Sequence, residues 1–226
     1  MKNVCLICMM AVSLTISNVF VANSQEPIVS EECIVKISQF HESVKNKQFA
    51  EAYEPWFAVY EACPNANKSI YRDGEKILEA LFRATSDEGE RRRLAELAIE
   101  LQDKRIQYFG NDPKYPTAYI LGRKGLAYID FWGSDRIVEA HECLQQSVQQ
   151  MGEKSEIMVL VKLVDTSYEL YKMNPGLYDT EFIADYNLAR NYLEMLATNP
   201  KNKRADVAQK QIEYVDTIFE KSGVTQ

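Results

Sequence analysis

Glycine and proline are scarce, at 9 and 7 of 226 residues. A sandwich or barrel of many short strands needs a turn signal about every 8–12 residues, and so few turn formers do not supply one. Histidine is scarcer still. With only His41 and His141, a zinc site or a histidine-based triad would have to draw on cysteines that have other uses, so no metal, cofactor or catalytic constellation is expected. An excess of positive charge is also missing. Lys and Arg total 26 against 33 Asp and Glu, for a net charge of −7 and a pI near 5.1. Proteins that displace counterions from phosphates carry the opposite balance, so nucleic acid is not an expected partner. Disorder is excluded from the other side, because 46% of the residues are hydrophobic and a disordered chain lacks such material.

The first residues carry an expected address. Met1-Lys2-Asn3 precedes an apolar run from Val4 to Val12, and Ala22-Asn23-Ser24 offers small residues at a cleavage position. Ser13, Thr15, Ser17 and Asn18 interrupt the run, which therefore falls short of the roughly 20 apolar residues that span a bilayer. Residues 1–24 are thus expected to be a cleaved signal peptide, and 25–226 a single mature domain. Processing would remove one cation, Lys2, and shift the net charge from −7 to −8. Export to the periplasm is the expected destination, with the outer surface or secretion as alternatives, and no membrane span remains after signal removal. Of five cysteines, Cys5 and Cys8 leave with the signal. Cys33, Cys63 and Cys143 remain, an odd number that permits one internal bridge and one free thiol in an oxidising compartment.

Beyond the signal, the apolar spacing is helical nearly throughout. Ile34, Ile37, Phe40 and Val44 form a first stripe. Further helices are expected at about 49–62, 68–84, 87–109, 114–132, 134–151, 155–173, 179–199 and 202–222. Asp87 followed by Glu90 forms a capping box, Ser134 and Asp179 are candidate caps, and Gly223 is placed to end the last helix. Pro55 breaks good helix chemistry, since it removes a backbone donor, and implies a kink or a late helix start. About nine helices in consecutive pairs, repeating near every 40 residues, predict an all-α, right-handed solenoid of antiparallel hairpins.

The segment Phe49, Ala52, Trp56, Val59 and Pro64 holds an aromatic, a small residue, a large aromatic, an apolar residue and a proline at the spacing of the second half of a tetratricopeptide repeat, which it resembles. In that arrangement Ala52 lets two helices approach, Trp56 fills the gap between hairpins and Pro64 closes the repeat. Gly125, Tyr128, Ala140 and Leu144 resemble a later repeat, and Ala189, Leu193 and Leu196 another. The stretches from Arg105 to Gly110 and from Tyr119 to Gly125 are similar to signal-bearing, tetratricopeptide-like proteins of Bacteroidetes. That resemblance implies a helical-repeat fold and export, without a defined activity.

Cys33 and Cys63 lie almost symmetrically about the Lys47-Gln48 turn. In an antiparallel hairpin the start of the first helix lies beside the end of the second, so a disulfide there would clamp the open end of the N-terminal repeat; two unbonded, half-buried thiols are the alternative. Cys143 sits mid-helix in a core role. His141 and Cys143, two residues apart on a helix, point about 200° apart and cannot chelate one ion together. Gly122 and Gly125, three apart, read as a close helix-packing face. Arg91-Arg92-Arg93 reads as a solvated face with local ion pairs. The carboxylates are scattered, with nothing to split their pKa values. Tyr is abundant, at 13 residues, and is enriched where proteins bind one another. Tyr115, Tyr119 and Arg123 are the candidate protein-binding surface. The expected function is a non-catalytic scaffold or adaptor of the cell envelope that binds a protein or peptide; the alternative is a carbohydrate-handling protein, either glycan-binding or an all-α glycoside hydrolase.

Overall fold

The computed structural model describes residues 30–224. The expected signal peptide, with Cys5 and Cys8, lies outside the described residues. Among the described residues the protein is all-α, with no strand. Its helices are α1 (Glu31–Lys45), α2 (Phe49–Ala62), α3 (Ser69–Ala84), α4 (Glu88–Phe109), α5 (Thr117–Trp132), α6 (Ile137–Met151), α7 (Ile157–Met173), α8 (Pro175–Thr198) and α9 (Ala205–Ser222). No helix among them is long and apolar enough to cross a membrane.

Each helix packs on its neighbours in the chain. The α1/α2, α5/α6 and α7/α8 contacts are among the most extensive, and α1 also reaches α3, as α5 and α9 each reach α7. Two apolar clusters result. The first joins α1 to α4 around Phe40, Trp56, Tyr60, Tyr71 and Leu94. The second joins α5 to α9 around Leu144, the Val159 to Val164 stretch, Phe182 and Val215. Helix α5 bridges the two, since Phe131 and Trp132 pack on the first cluster and Leu126 belongs to the second.

Several helix ends follow directly from local chemistry. Ser30 caps α1 by accepting the Cys33 N–H at 3.3 Å, and Asp87 caps α4 by accepting the Glu90 N–H at 2.7 Å. Gly223 ends α9 in the left-handed region, at φ 70°. Pro55 lies inside α2, which already starts at Phe49, so a late start is not how the chain accommodates it.

Other boundaries differ from expectation. Helix α5 begins at Thr117 rather than near Lys114, because Pro116 takes an extended conformation immediately before it. Ser134 caps nothing; it sits in a 3₁₀ turn, Gly133–Arg136, that opens with a positive φ at Gly133. Helix α8 begins at Pro175 instead of at Asp179, since proline with its preset φ suits the first helical position. Asp179 consequently lies within α8, where its carboxylate accepts the Thr180 N–H.

The residues of the repeat-like segment divide by depth. Ala52, Trp56 and Val59 are fully buried on α2, whereas Phe49 and Pro64 are only partly so. Trp56 donates its indole N–H to the Ile70 carbonyl at 2.7 Å, and Gly74 of α3 leaves room for the ring: a Cβ there would come within 2.7 Å of it. Gly122 and Gly125 do the same for α5. A Cβ on Gly125 would meet the Leu144 side chain at 2.6 Å, and one on Gly122 would meet Ser147 at 2.7 Å. Cys33 and Cys63 are joined by a disulfide, with their Cα atoms 6.5 Å apart. Cys143 is free and half-buried, and burial pushes its thiol up to about 11.

Candidate functional site

Tyr115, Tyr119 and Arg123 come together in one groove, a cavity of about 350 Å³ between α3, α4 and α5. The loop from α4 to α5 sets its wall. One oxygen of Asp112 accepts the Lys114 and Tyr115 N–H groups at 2.9 and 2.8 Å, and the other pairs with Lys68. Lys68, followed by those backbone donors, holds the Asp112 carboxyl down at about 2. Thr117 closes the loop by donating its N–H to the Gly110 carbonyl at 2.8 Å. The Tyr115 and Tyr119 rings then lie tilted, with centroids 4.9 Å apart.

Glu75 of α3 organises the interior of the groove. Its Oε1 accepts from Gln102 Nε2 at 2.9 Å and Arg105 Nη1 at 3.0 Å, and its Oε2 accepts from Arg123 Nη2 at 2.9 Å. Burial works against the Arg123 charge, but Glu75 outweighs it and holds the guanidinium above its ordinary value. Arg105 also lies over the Tyr119 ring, 5.6 Å from its centroid. Arg123 is thus a brace as much as a contact. The accessible cations are Lys68, just before α3, and Arg72 and Lys76 of α3, each with more than half its side chain exposed, and sequence spacing alone gave no reason to group them with Tyr115.

A smaller pocket beside the groove shares Glu75, Glu79 and Arg123 with it and adds Gln102 and Asp130. Partial burial, reinforced by Glu79, pushes the Asp130 carboxyl up. The Gln102 Oε1 is buried with no protein donor, so this neighbouring pocket offers acceptors where the rim offers cations.

A second polar constellation lies on the other side of the molecule's midpoint. His141 of α6 faces Glu181 and Asp185 of α8, one helical turn apart. Its Nε2 is 3.3 Å from Glu181 Oε1 and 3.4 Å from Asp185 Oδ2, and its Nδ1 is 3.4 Å from Thr166 Oγ1 on α7. Gln145 donates to both carboxylates at 3.0 and 3.2 Å, and the Ser167 hydroxyl donates to Asp185 at 2.9 Å. Burial pushes the Asp185 carboxyl up against the opposing pull of His141. No family model, curated protein or solved structure matches this chain.

Sequence spacing alone does not reveal this cluster. The partners of His141 are 40 and 44 positions away. The available signal was the i, i+4 spacing of Glu181 and Asp185 on an otherwise apolar helix face. Of the two tryptophans, Trp56 is fully buried and Trp132 partly so. The arginine run divides its work. Arg92 and Arg93 pair locally with Glu96 and Glu90, whereas Arg91 stacks 3.8 Å over Phe82 and donates to the Phe82 carbonyl at the end of α3.

Proposed function

We propose that this chain is an exported, non-catalytic scaffold that binds an acidic segment of a protein partner in the α3–α5 groove. The observation that carries this is the rim itself, where Lys68, Arg72 and Lys76 stand exposed beside the Tyr115 and Tyr119 rings. Exposed cations steer an acidic segment, and rigid aromatic rings bury area at low entropic cost. The acceptors of the adjoining pocket, Asp130 and Gln102 Oε1, suit a donor group from the same segment. Mechanism is geometric: the Glu75 network holds the groove in shape, and no bond is made or broken.

The same proposal takes the helices as a right-handed, tetratricopeptide-like solenoid in the periplasm. Neighbour-by-neighbour packing and the placement of Trp56 between α2 and α3 support the repeat arrangement. The Cys33–Cys63 bond supports an oxidising compartment. The test is binding of fluorescent acidic, neutral and basic peptides to the purified mature chain. Acidic peptides should bind best and weaken steeply with salt, and the charge-reversed triple variant Lys68→Glu, Arg72→Glu, Lys76→Glu should lose that binding while keeping its helical circular dichroism. Equal binding of acidic peptides by the variant would refute the groove. Cell fractionation with N-terminal sequencing tests the address.

A further inference from the structure

We propose that His141, Glu181 and Asp185 form a binding site for one divalent transition-metal ion of the zinc type, which clamps α6 to α8 across α7. The site shares no residue with the α3–α5 groove and stands or falls independently of it.

Distances carry the argument, and the chain contains its own control. His41 meets Asp73 with Nδ1 to Oδ2 at 2.6 Å, the contraction expected of a charge-assisted hydrogen bond, about 2.7–2.9 Å. His141 Nε2 instead stands 3.3 and 3.4 Å from two carboxylate oxygens, longer than a charge-assisted hydrogen bond to either. A tetrahedral ion with ligand bonds of about 2.0–2.1 Å separates its ligand atoms by about 3.3–3.4 Å. The three candidate ligand atoms all lie within 4.8 Å of one another, close enough to share one ion.

The imidazole is oriented for ligation. The Thr166 hydroxyl donates to the Lys162 carbonyl at 2.9 Å, which leaves its oxygen as the atom facing His141 Nδ1 at 3.4 Å. Nε2 is then the ring nitrogen that faces the two acids, and either imidazole nitrogen can ligate a metal. Ring and carboxylates are each held by an outer partner, Thr166 for the ring, Gln145 and Ser167 for the acids, which is how metal ligands are kept in place.

Charge points the same way. Asp73, the partner of His41, also has Arg72 and Lys76 at 3.4 and 3.3 Å. The ion pairs of Glu181 and Asp185 among the described residues are with His141 alone. Two carboxylates converge there with no Lys or Arg paired to either, so a dication would meet no competing side-chain cation. His141 and Asp185 are each 3% exposed, whereas the Glu181 side chain is 37% exposed. An ion can therefore enter past Glu181, and water can complete its shell from that side. One imidazole with two carboxylates selects zinc and its first-row neighbours over calcium, which prefers an all-oxygen shell.

The test uses the mature chain, made without a histidine tag and stripped with a chelator, titrated calorimetrically with Zn²⁺ alone and with Ca²⁺ for contrast. Zn²⁺ should bind one to one, Ca²⁺ should not, and Glu181→Gln, a half-exposed and isosteric change, should weaken Zn²⁺ by tenfold or more with the fold intact. Because the chain has two histidines, nitrogen NMR of the imidazoles gives a second readout: Zn²⁺ should move the Nε2 resonance of His141 and leave His41 in place. Absence of Zn²⁺ binding, unchanged affinity in Glu181→Gln, or a response at His41 in place of His141 would overturn the proposal.

Discussion

The two halves of the molecule hold their helices together by different means. From α1 to α4 the interior is built on large aromatic rings, with Trp56, Tyr60 and Tyr71 fully buried, and the open end is tied covalently through Cys33 and Cys63. Its histidine, His41, sits against a carboxylate already attended by two cations. From α5 to α9 the centre is mainly aliphatic, supplied by Val159, Leu160, Leu163 and Val164 of α7 with Phe182 as its one fully buried ring, and the described residues place no disulfide there. Its histidine faces two acids and no cation. One half stabilises a hairpin by restricting the unfolded chain; the other relies on close helix approach at Gly122 and Gly125 and gathers two carboxylates, with no Lys or Arg paired to them, around one histidine. Such a pair is costly to bury unless matched, which is why the C-terminal half is where a cation is proposed.

The comparison can be broken most severely at Trp56. Trp56→Ala should cost about 3–5 kcal/mol, and hydrogen exchange should show the loss of protection concentrated in α1 to α4 while α7 and α8 keep theirs; uniform loss would mean the halves do not differ as described. Replacing Cys33 and Cys63 with Ser closes no loop and should cost about 3–4 kcal/mol in the chain-entropy view, read as a drop in the urea midpoint equal to that of the reduced wild-type protein. On the other side, Gly125→Ala should cost about 1–3 kcal/mol, since its Cβ would overlap Leu144, with the effect centred on the α5–α6 contact. The smallest effect sharpens the contrast in cysteine chemistry. Burial raises the Cys143 thiol to about 11, so in the folded protein it stays protonated at pH 8 and its thiolate appears only as pH approaches that value. Alkylation at pH 8 should be about tenfold slower than in the unfolded chain, because the lost thiolate fraction exceeds the gain in intrinsic nucleophilicity.

Local chemistry was legible in the sequence, and long-range chemistry was not. The span of α2, the Asp87 cap and the Gly223 stop follow from a few neighbouring residues, and the structure has them. The Cys33–Cys63 bond was also within reach, because a hairpin folds symmetrically about its turn. The start of α8 was missed because Asn174-Pro175-Gly176 reads as a stop, although the same proline suits the first turn of the next helix. Tyr115, Tyr119 and Arg123 do share a groove, but its exposed cations come from α3 and the residue before it, some 40 or more residues earlier, and Arg123 proved to be anchored by Glu75. The His141 cluster depends on α6, α7 and α8 packing in one particular rotation, information that resides in the stacking of helices and not in any one segment.

The disulfide has a mechanical consequence as well. It joins residues 30 positions apart near the N-terminal end of the described chain, so tension applied at the two ends of the protein passes through the sulfur bridge and around the α1–α2 hairpin. At about 3.5 Å per extended residue, roughly 100 Å of contour stays shielded from load until the bond is reduced. Pulled from both ends, the chain would lengthen elsewhere while the α1–α2 hairpin enclosed by the two cysteines stays out of the load path.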